Sequence, residues 1–140
     1  MYKRILVAVD GSDIAQKAVK HAAEIALKFE SAVTLLHVVS PLPAAIRNSV
    51  FEQKLIDEIM KDGLQTLDKA KSDIIEFNVQ ADTEMKVGDP STEICMKAKD
   101  EQYDLIVIGS RGLGALSGFI MGSVSRRVVR HAPCPVLVVR

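Results

Sequence analysis

Two features of the sequence have residue types and spacing that suit the binding of a phosphorylated ligand. The first is the stretch "GSRGLGALSGFIMGSVS", Gly109 to Ser125, which holds five of the chain's eight glycines and runs into a helix-like segment at Gly122. Glycine lets backbone approach a ligand closely, and the amides at a helix start carry partial positive charge. With hydroxyls at Ser123 and Ser125, this stretch fits a cradle for a phosphate chain. Its composition fits equally a loop that binds nothing, followed by a capped helix.

The second feature is Asp10, which directly follows the apolar run "ILVAV" and precedes a helical pattern. In open α/β sheets, ligands bind outside the carboxyl ends of the strands, where the strand order reverses. A carboxylate at such a position suits a sugar hydroxyl, a base edge or a metal ion. The alternative is that Asp10 helps to cap the following helix, a role for which Ser12 competes.

Two well-known phosphate-binding motifs do not match the sequence. A P-loop requires the pattern G-x-x-x-x-G-K-[ST], and the chain contains no Gly-Lys pair. The dinucleotide fingerprint G-x-G-x-x-G begins at Gly112 and Gly114, but Ser117 stands where the third glycine belongs. This pattern also follows the fourth predicted strand, whereas the fingerprint follows the first. The glycine stretch therefore belongs to neither class.

Five short β-like runs alternate with helical patterns along the chain. The runs are "RILVAVD", "AVTLLHVV", "DTEMKV", "DLIVIGS" and "PVLVVR". This alternation predicts right-handed βαβ crossovers and a mostly parallel sheet. We therefore predict an open, doubly wound, Rossmann-like α/β fold with four helices, formed by residues 1–140 as a single domain. The third run alternates, with Glu84 and Lys86 on one face, which predicts a strand at the sheet edge.

Capping residues predict where the helices begin. Ser12 precedes the first helical pattern, and Asp89 with Pro90 precedes the third, where Glu93 adds a favourable charge. The fourth helix is predicted to begin at "GSVSRRVV" and to end before "APCP", because proline cannot continue a helix. Apolar stripes at helical spacing predict the buried faces of the first two helices. These stripes are Ala15, Ala18, Val19, Ala22 and Ala26, followed by Leu55, Ile59, Leu64, Leu67, Ala70 and Ile74.

The overall composition argues against several other classes of protein. Lys and Arg number 18 against 18 Asp and Glu, and this balance disfavours a nucleic-acid-binding surface. No apolar run reaches the roughly 18 residues of a membrane span, and the N-terminal one is too short for a signal peptide. Cys95 and Cys134 suggest reduced thiols in a cytoplasmic protein. His21 and His131 have no partners at metal-ligand spacing, so we expect no protein-built metal site, and we expect His37 to be a hydrogen-bonded interior residue.

The spacing of the glycine stretch resembles that of a known family. Gly109-x2-Gly112-x9-Gly122-Ser123 is similar to the G-2x-G-9x-G-(S/T) signature of the universal stress protein family. The resemblance extends over the whole chain, through "ILVAVDGS", "LLHVV", "GSRG" and "PCPVLVVR" in the expected order. It implies a five-stranded parallel sheet in the order 3-2-1-4-5, ATP binding and a homodimer.

The resemblance also implies a set of nucleotide-binding residues. The residues around adenine and ribose would be Ala8, Val9, Asp10 and Val38. The residues bordering the ribose and the phosphates would be Ile108, Gly109 and Gly112. The residues at the phosphate chain would be Gly122, Ser123, Val124 and Ser125. The implied ligand is ATP, with Mg²⁺ held mainly by its phosphates. Arg111 lies within the glycine stretch, where it either meets a phosphate or remains a solvated charge.

The last strand predicts how the dimer forms. The run "PVLVV" is apolar throughout, and the implied strand order puts it at a sheet edge. An uncovered apolar edge strand pairs readily with the same strand of a second copy. We therefore predict a homodimer through the C-terminal strand.

These features predict an ATP-binding, cytoplasmic regulatory protein of the stress response rather than an enzyme. No Glu, Asp or His lies between Gly109 and Arg130, so no general base is evident beside the phosphates and fast hydrolysis is not expected. The alternative is a nucleotidyl transferase or a slow ATP hydrolase on a similar fold. A phosphoacceptor receiver domain is disfavoured, because Asp10 lacks an adjacent acidic residue. The sequence identifies neither the regulatory partner nor the physiological adenine nucleotide.

Overall fold

The predicted strands and helices are present in a computed structural model of the chain, which describes residues 1–112 and 121–140. In chain order they are β1 (Arg4–Ala8), α1 (Asp13–Phe29), β2 (Ala32–Val39), α2 (Glu52–Ile75), β3 (Ala81–Val87), α3 (Pro90–Asp100), β4 (Leu105–Gly109), α4 (Ser123–His131) and β5 (Val136–Val139). Gly114 and Ser117, which belong to the rejected dinucleotide pattern, lie outside the described residues.

All five strands form one parallel sheet in the order β3-β2-β1-β4-β5. This order and the four helices confirm the predicted doubly wound α/β fold. β1 is central: Val7 is level with Leu35 of β2 on one side and with Val107 of β4 on the other. The connections that leave β1 and β4 run toward opposite edges of the sheet, which opens a crevice at the carboxyl ends of these two strands.

The sheet separates two apolar layers. On one face, the alanine-rich side of α1 and the apolar side of α2 pack against Ile5, Val7 and Leu35. On the other face, α3 and α4 pack against Leu6 and Ile106. Ile5, Leu6 and Val7 are fully buried. Helices on both faces of β1 thus explain why its sequence is continuously apolar.

Two predicted helix caps are present. Ser12 is the N-cap of α1, where its hydroxyl accepts a hydrogen bond from the Ala15 amide at 3.1 Å. Asp89 is the N-cap of α3, where its carboxylate accepts one from the Thr92 amide at 3.1 Å. Pro90 is the first residue of α3, as predicted. These caps fix the starts of two helices beside the carboxyl ends of β1 and β3.

The prediction for α2 is correct in the second half of the helix and wrong at Leu64. Of the predicted stripe, Leu67, Ala70 and Ile74 are buried, and Leu55 and Ile59 are half-buried. Leu64, in contrast, is 54% exposed. The neighbouring Gly63 is buried instead, and a Cβ at this position would lie 2.5 Å from Met85 Sδ. Because glycine lets α2 come close to the sheet at this point, the helix turns Leu64 outward.

Gly63 also makes room for His37 of β2. A Cβ on Gly63 would lie 3.1 Å from His37 Cδ2. The His37 ring is half-buried, and its Nδ1 donates a hydrogen bond to the Val9 carbonyl at 2.8 Å. This confirms the prediction of a hydrogen-bonded interior histidine. The bond ties β2 to the chain just after β1, at the edge of the crevice.

The predicted edge position of β3 is also confirmed, and a buried lysine joins α3 to this strand. The ammonium of Lys97 pairs with Glu84 of β3 and with Glu101 at the end of α3. Burial alone would lower the pKa of Lys97, but the Glu101 and Glu84 carboxylates outweigh it and hold the pKa above its usual value. These ion pairs keep α3, and with it the wall of the crevice that α3 forms, against the sheet.

We predict that Asp89→Ala destabilises the fold and that Asp89→Ser does so much less. Hydrogen bonds from the Ser91 and Thr92 hydroxyls and from the Thr92 amide hold the pKa of Asp89 below its ordinary value. Loss of the cap should lower the free energy of unfolding at neutral pH by about 1 kcal/mol, as measured by urea unfolding. Serine retains an acceptor for the Thr92 amide and is therefore the matched control.

Acid provides the second measurement for this variant. Because the pKa of Asp89 is lowered in the folded state, the stabilisation is present above the ordinary value of 3.8 and is lost as pH falls through the folded-state value. The difference in stability between wild type and Asp89→Ala should therefore narrow below pH 3.8. A difference that stays constant with pH would contradict the role of the carboxylate.

Candidate functional site

A cleft of about 550 Å³ opens at the carboxyl ends of β1 and β4, where the strand order reverses. All eleven residues singled out from the sequence line it, namely Ala8, Val9, Asp10, Val38, Ile108, Gly109, Gly112, Gly122, Ser123, Val124 and Ser125. They come from four separate segments of the chain. The volume is in the range of pockets that hold small molecules and cofactors.

One wall of the cleft is apolar. Ala8, Val38 and Ile108 stand near the ends of β1, β2 and β4 and pack on the sheet face that α3 and α4 cover. Pro90 and Ile94 of α3 also line the cleft. An apolar surface of this kind suits an aromatic base. The sequence did not reveal Pro90 and Ile94, because their place in the cleft depends on how α3 lies over the sheet.

Two roles were considered for Asp10, ligand binding and capping of the helix that follows it, and its contacts have features of both. Its Oδ1 accepts a hydrogen bond from the Ser12 amide at 2.9 Å, which shapes the turn before α1, while Ser12 itself is the N-cap. Its Oδ2 lies toward Gly112, where a Cβ would be only 2.6 Å away. The turn therefore holds a half-buried carboxylate in a fixed orientation in the wall of the cleft.

Contacts within the protein crowd the space for a side chain at two of the signature glycines. A Cβ on Gly109 would lie 2.6 Å from Ile14 Cγ2 and 3.3 Å from the carbonyl carbon of Ile14. A Cβ on Gly112 would meet the Asp10 carboxylate. These two glycines let the end of β4 approach α1 and Asp10. Neither backbone approach to a ligand nor a loop that binds nothing, the two alternatives open from the sequence, includes these contacts within the protein.

The start of α4 lines the cleft without a side chain at its N-cap. Gly122 is the N-cap, whereas Ser12 and Asp89 cap α1 and α3 with their side chains. The amides of residues 123–125 have no carbonyl within the helix to which they can donate. No acidic residue stands in the first turn of α4. These amides and the positive end of the helix dipole can therefore receive an anion.

Ser125 is engaged in a way that the sequence did not indicate. Its hydroxyl is buried and donates to the Ser110 carbonyl at 2.8 Å, with the Gly122 carbonyl 3.1 Å away. The Gly122 amide donates to the same Ser110 carbonyl at 2.7 Å. Ser125 thus fastens the start of α4 to the end of β4, and it also lines the cleft.

The arginines of α4 lie outside the lining of the cleft. Arg126, Arg127 and Arg130 are exposed and form a solvated face of the helix. The Nη2 of Arg126 donates to the Met121 carbonyl at 3.1 Å. Arg111, in contrast, lines the cleft.

The described parts of the chain contain no group of three or more His, Cys, Asp and Glu side chains that could hold a metal ion. Burial raises the pKa of the Cys95 and Cys134 thiols, both of which are half-buried, so neither is an activated thiolate. Among the helices of residues 1–112 and 121–140, none is long and apolar enough to cross a membrane.

The fold and the cleft define an open α/β protein with its crevice at the strand switch point. The family model described as the universal stress protein family matches residues 1–140, and the chain belongs to this family. It is 39% identical over 141 residues to universal stress protein MJ0531 of Methanocaldococcus jannaschii, covering 100% of this chain and 83% of that protein. It is 37% identical over 148 residues to universal stress protein YxiE of Bacillus subtilis, covering 100% of both.

Solved structures share this fold. Universal stress protein UspA from Lactobacillus plantarum has a TM-score of 0.87 at 31% identity, covering 99% of this chain and 98% of that one. A universal stress protein from Archaeoglobus fulgidus, in complex with dAMP, has a TM-score of 0.76 at 30% identity over 99% and 98% of the two chains. A family member from Arabidopsis thaliana with AMP bound scores 0.70 at 27% identity over 98% and 90%. One in complex with cAMP scores 0.77 at 27% identity over 99% and 97%.

We predict that Gly109→Ala destabilises the fold, because the added methyl group would overlap with Ile14. The loss in the free energy of unfolding should be about 1–3 kcal/mol by urea unfolding. Ile14→Ala combined with Gly109→Ala should lose less than the sum of the two single changes, since shortening Ile14 removes the closest overlap. Additive losses in this double-mutant cycle would contradict the explanation given for Gly109.

Proposed function

We propose that the protein binds an adenine nucleotide, ATP, in the cleft at the ends of β1 and β4. The start of α4 carries this proposal, because it lines a cleft that also has an apolar wall, and its first-turn amides can hold phosphate. Membership of a family in which structural neighbours hold AMP, dAMP and cAMP supports it. The three parts of a nucleotide match three parts of the cleft.

We infer the orientation of the ligand from the chemistry of these parts. The base lies against the apolar wall of Ala8, Val38 and Ile108. The ribose lies near Asp10, whose carboxylate accepts hydrogen bonds from hydroxyl groups. The phosphates lie at the start of α4, where the amides of residues 123–125 supply the donors.

Two of the implied site residues contribute less directly. The Val9 amide donates to the Leu36 carbonyl at 2.9 Å and the Val9 carbonyl accepts from His37, so Val9 offers the ligand its surface. The Ser125 hydroxyl donates within the protein, so Ser125 offers its amide and holds α4 in place. Ser123 is exposed and supplies a hydroxyl as well as an amide.

ATP is the specific ligand proposed because the chain has every position of the glycine signature, from Gly109 to Ser123. The structural neighbours named above hold monophosphates. In the proposed complex, Mg²⁺ is held mainly by the phosphates of ATP, because the described residues offer no ligand cluster for it.

We propose a regulatory role in the cytoplasmic stress response rather than catalysis. The segment from Gly109 to Arg130 contains no Glu, Asp or His that could activate water at the end of the phosphate chain. A nucleotidyl transferase or a slow ATP hydrolase is the alternative, and either would need a base from another part of the cleft.

Calorimetric titration tests the binding proposal. Wild type should bind ATP more tightly than adenosine, because the α4 amides hold phosphate. Asp10→Asn should weaken ATP binding by about ten- to a hundredfold, since a hydrogen bond to a charged acceptor contributes about 1.5–3 kcal/mol. Asparagine keeps an acceptor for the Ser12 amide, so the free energy of unfolding should change little.

Asp13→Asn is the matched control, because Asp13 lies in the first turn of α1, is exposed and does not line this cleft. It removes the same charge and should leave ATP affinity unchanged. If wild type binds adenosine and ATP equally, the phosphate site at α4 is refuted. If it binds neither, the proposed function is wrong.

We also propose a homodimer through β5. This strand ends the sheet beside β4, and Val136, Leu137 and Val138 are half-buried within the chain. Its outer edge presents backbone N–H and C=O groups to which a second copy of the same strand can bind. A two-fold axis through this edge would make the pairing self-complementary.

Val138→Lys should shift the protein toward monomer in sedimentation equilibrium, because it puts two like charges at a two-fold interface. Val138 also packs against the core near α4, so Val138→Thr is needed as a control that keeps the branched shape without the charge. The threonine variant should remain dimeric. A lysine variant that is folded by circular dichroism and still dimeric would exclude this interface.

A further inference from the structure

The cleft contains a charged side chain to which the glycine signature assigns no role. Arg111 lies between Gly109 and Gly112, is half-buried, and is the one lysine or arginine among the described residues that line the cleft. Its charge bears on which adenine nucleotides the cleft prefers, provided that the cleft binds them as proposed above.

Backbone contacts put Arg111 at the phosphate end of the cleft. The Gly122 amide donates to the Ser110 carbonyl at 2.7 Å. A Cβ on Gly122 would lie 3.5 Å from Arg111 Cα. The Arg111 side chain therefore begins beside the first turn of α4, where the amides of residues 123–125 are located.

The first turn of α4 can neutralise only part of a phosphate chain. A helix start has the effect of roughly half an elementary positive charge, and this effect falls off within one turn. Each phosphate beyond the first adds negative charge outside that turn. A guanidinium is permanently charged, and its paired donors match phosphate oxygens.

The charges of the residues that line the cleft also indicate that Arg111 favours ligands with more phosphates. Asp10 is the one carboxylate among the described residues that line it, and Arg111 balances that charge. Without Arg111, the lining would carry a net negative charge toward an anionic ligand. That repulsion would grow with the number of phosphates.

We propose that Arg111 binds the second and third phosphates and makes the cleft selective for adenosine di- and triphosphates over the monophosphate. Arg111 is in this respect a specificity-determining residue, separate from the first-turn amides of α4 that hold the first phosphate. Arg130 provides the comparison, because it is an exposed arginine of α4 outside the cleft lining.

The test is calorimetric titration of wild type, Arg111→Gln and Arg130→Gln with adenosine, AMP, ADP and ATP at one salt concentration. Arg111→Gln should weaken ATP and ADP binding about tenfold or more, which is the size of a charge-assisted hydrogen bond, and leave adenosine binding unchanged. AMP binding should fall by about twofold or less, because screening weakens the longer-range attraction. Arg130→Gln should bind all four ligands as wild type does.

Arg111→Lys keeps the charge and loses the paired donors, so it should restore part of the preference for ATP over AMP. Equal weakening of ATP and AMP by Arg111→Gln, or an equal loss of ATP affinity in Arg130→Gln, overturns the role of Arg111 and leaves nucleotide binding intact. A wild type that binds none of the four ligands overturns the proposed function itself. The midpoint of thermal unfolding should be the same for all variants. If Arg111→Gln is less stable, the role of Arg111 is decided by comparing the preference for ATP over AMP between Arg111→Lys and wild type.

Discussion

The carbonyl of Ser110 is the point at which the cleft is held together. It accepts hydrogen bonds from the Gly122 amide at 2.7 Å and from the Ser125 hydroxyl at 2.8 Å. The amide of the same residue donates to the Val139 carbonyl at 2.7 Å, which joins the end of β4 to β5. Ser110 thus fixes the start of α4 relative to two strands. The direction of the first-turn amides depends on this junction, because helix amides bind an anion well only when the helix start is held in place.

The glycines around this junction are required by packing as well as by any ligand. A Cβ on Gly109 would overlap with Ile14, and one on Gly112 would require the Asp10 carboxylate to move. A Cβ on Gly122 would lie 3.3 Å from the Ser110 carbonyl oxygen. The strand ends and the helix start can come this close only because glycine has no side chain. The spacing of the signature therefore describes how the walls of the cleft approach one another, and the cleft is the space that this approach leaves.

How far the sequence predicts the fold depends on whether a signal is local. β1 is recognisable because burial on both faces requires a continuous apolar run, and Ser12 and Asp89 mark helix starts because capping involves residues three apart. Leu64 was misassigned because helical periodicity alone does not show that Gly63, with no side chain, makes the closest approach to the sheet. Asp10 was found from its place after a central strand. The hydrogen bond from Ser125 to Ser110 could not be predicted from the sequence, since only the tertiary structure brings these two residues together.

The zero net charge of the chain hides an uneven distribution that matters for the cleft. The segment from Gly109 to Arg140 contains five arginines and no Asp or Glu, so the rest of the chain carries the compensating negative charge. Total charge bears on extended polyanion surfaces, where many phosphates are contacted at once. A small anion experiences the potential within about one Debye length, roughly 8–10 Å, so the charges that line the cleft weigh more in its binding than the total charge does. A balanced total charge is therefore compatible with the binding of one phosphorylated molecule, as we propose for the cleft between β4 and α4.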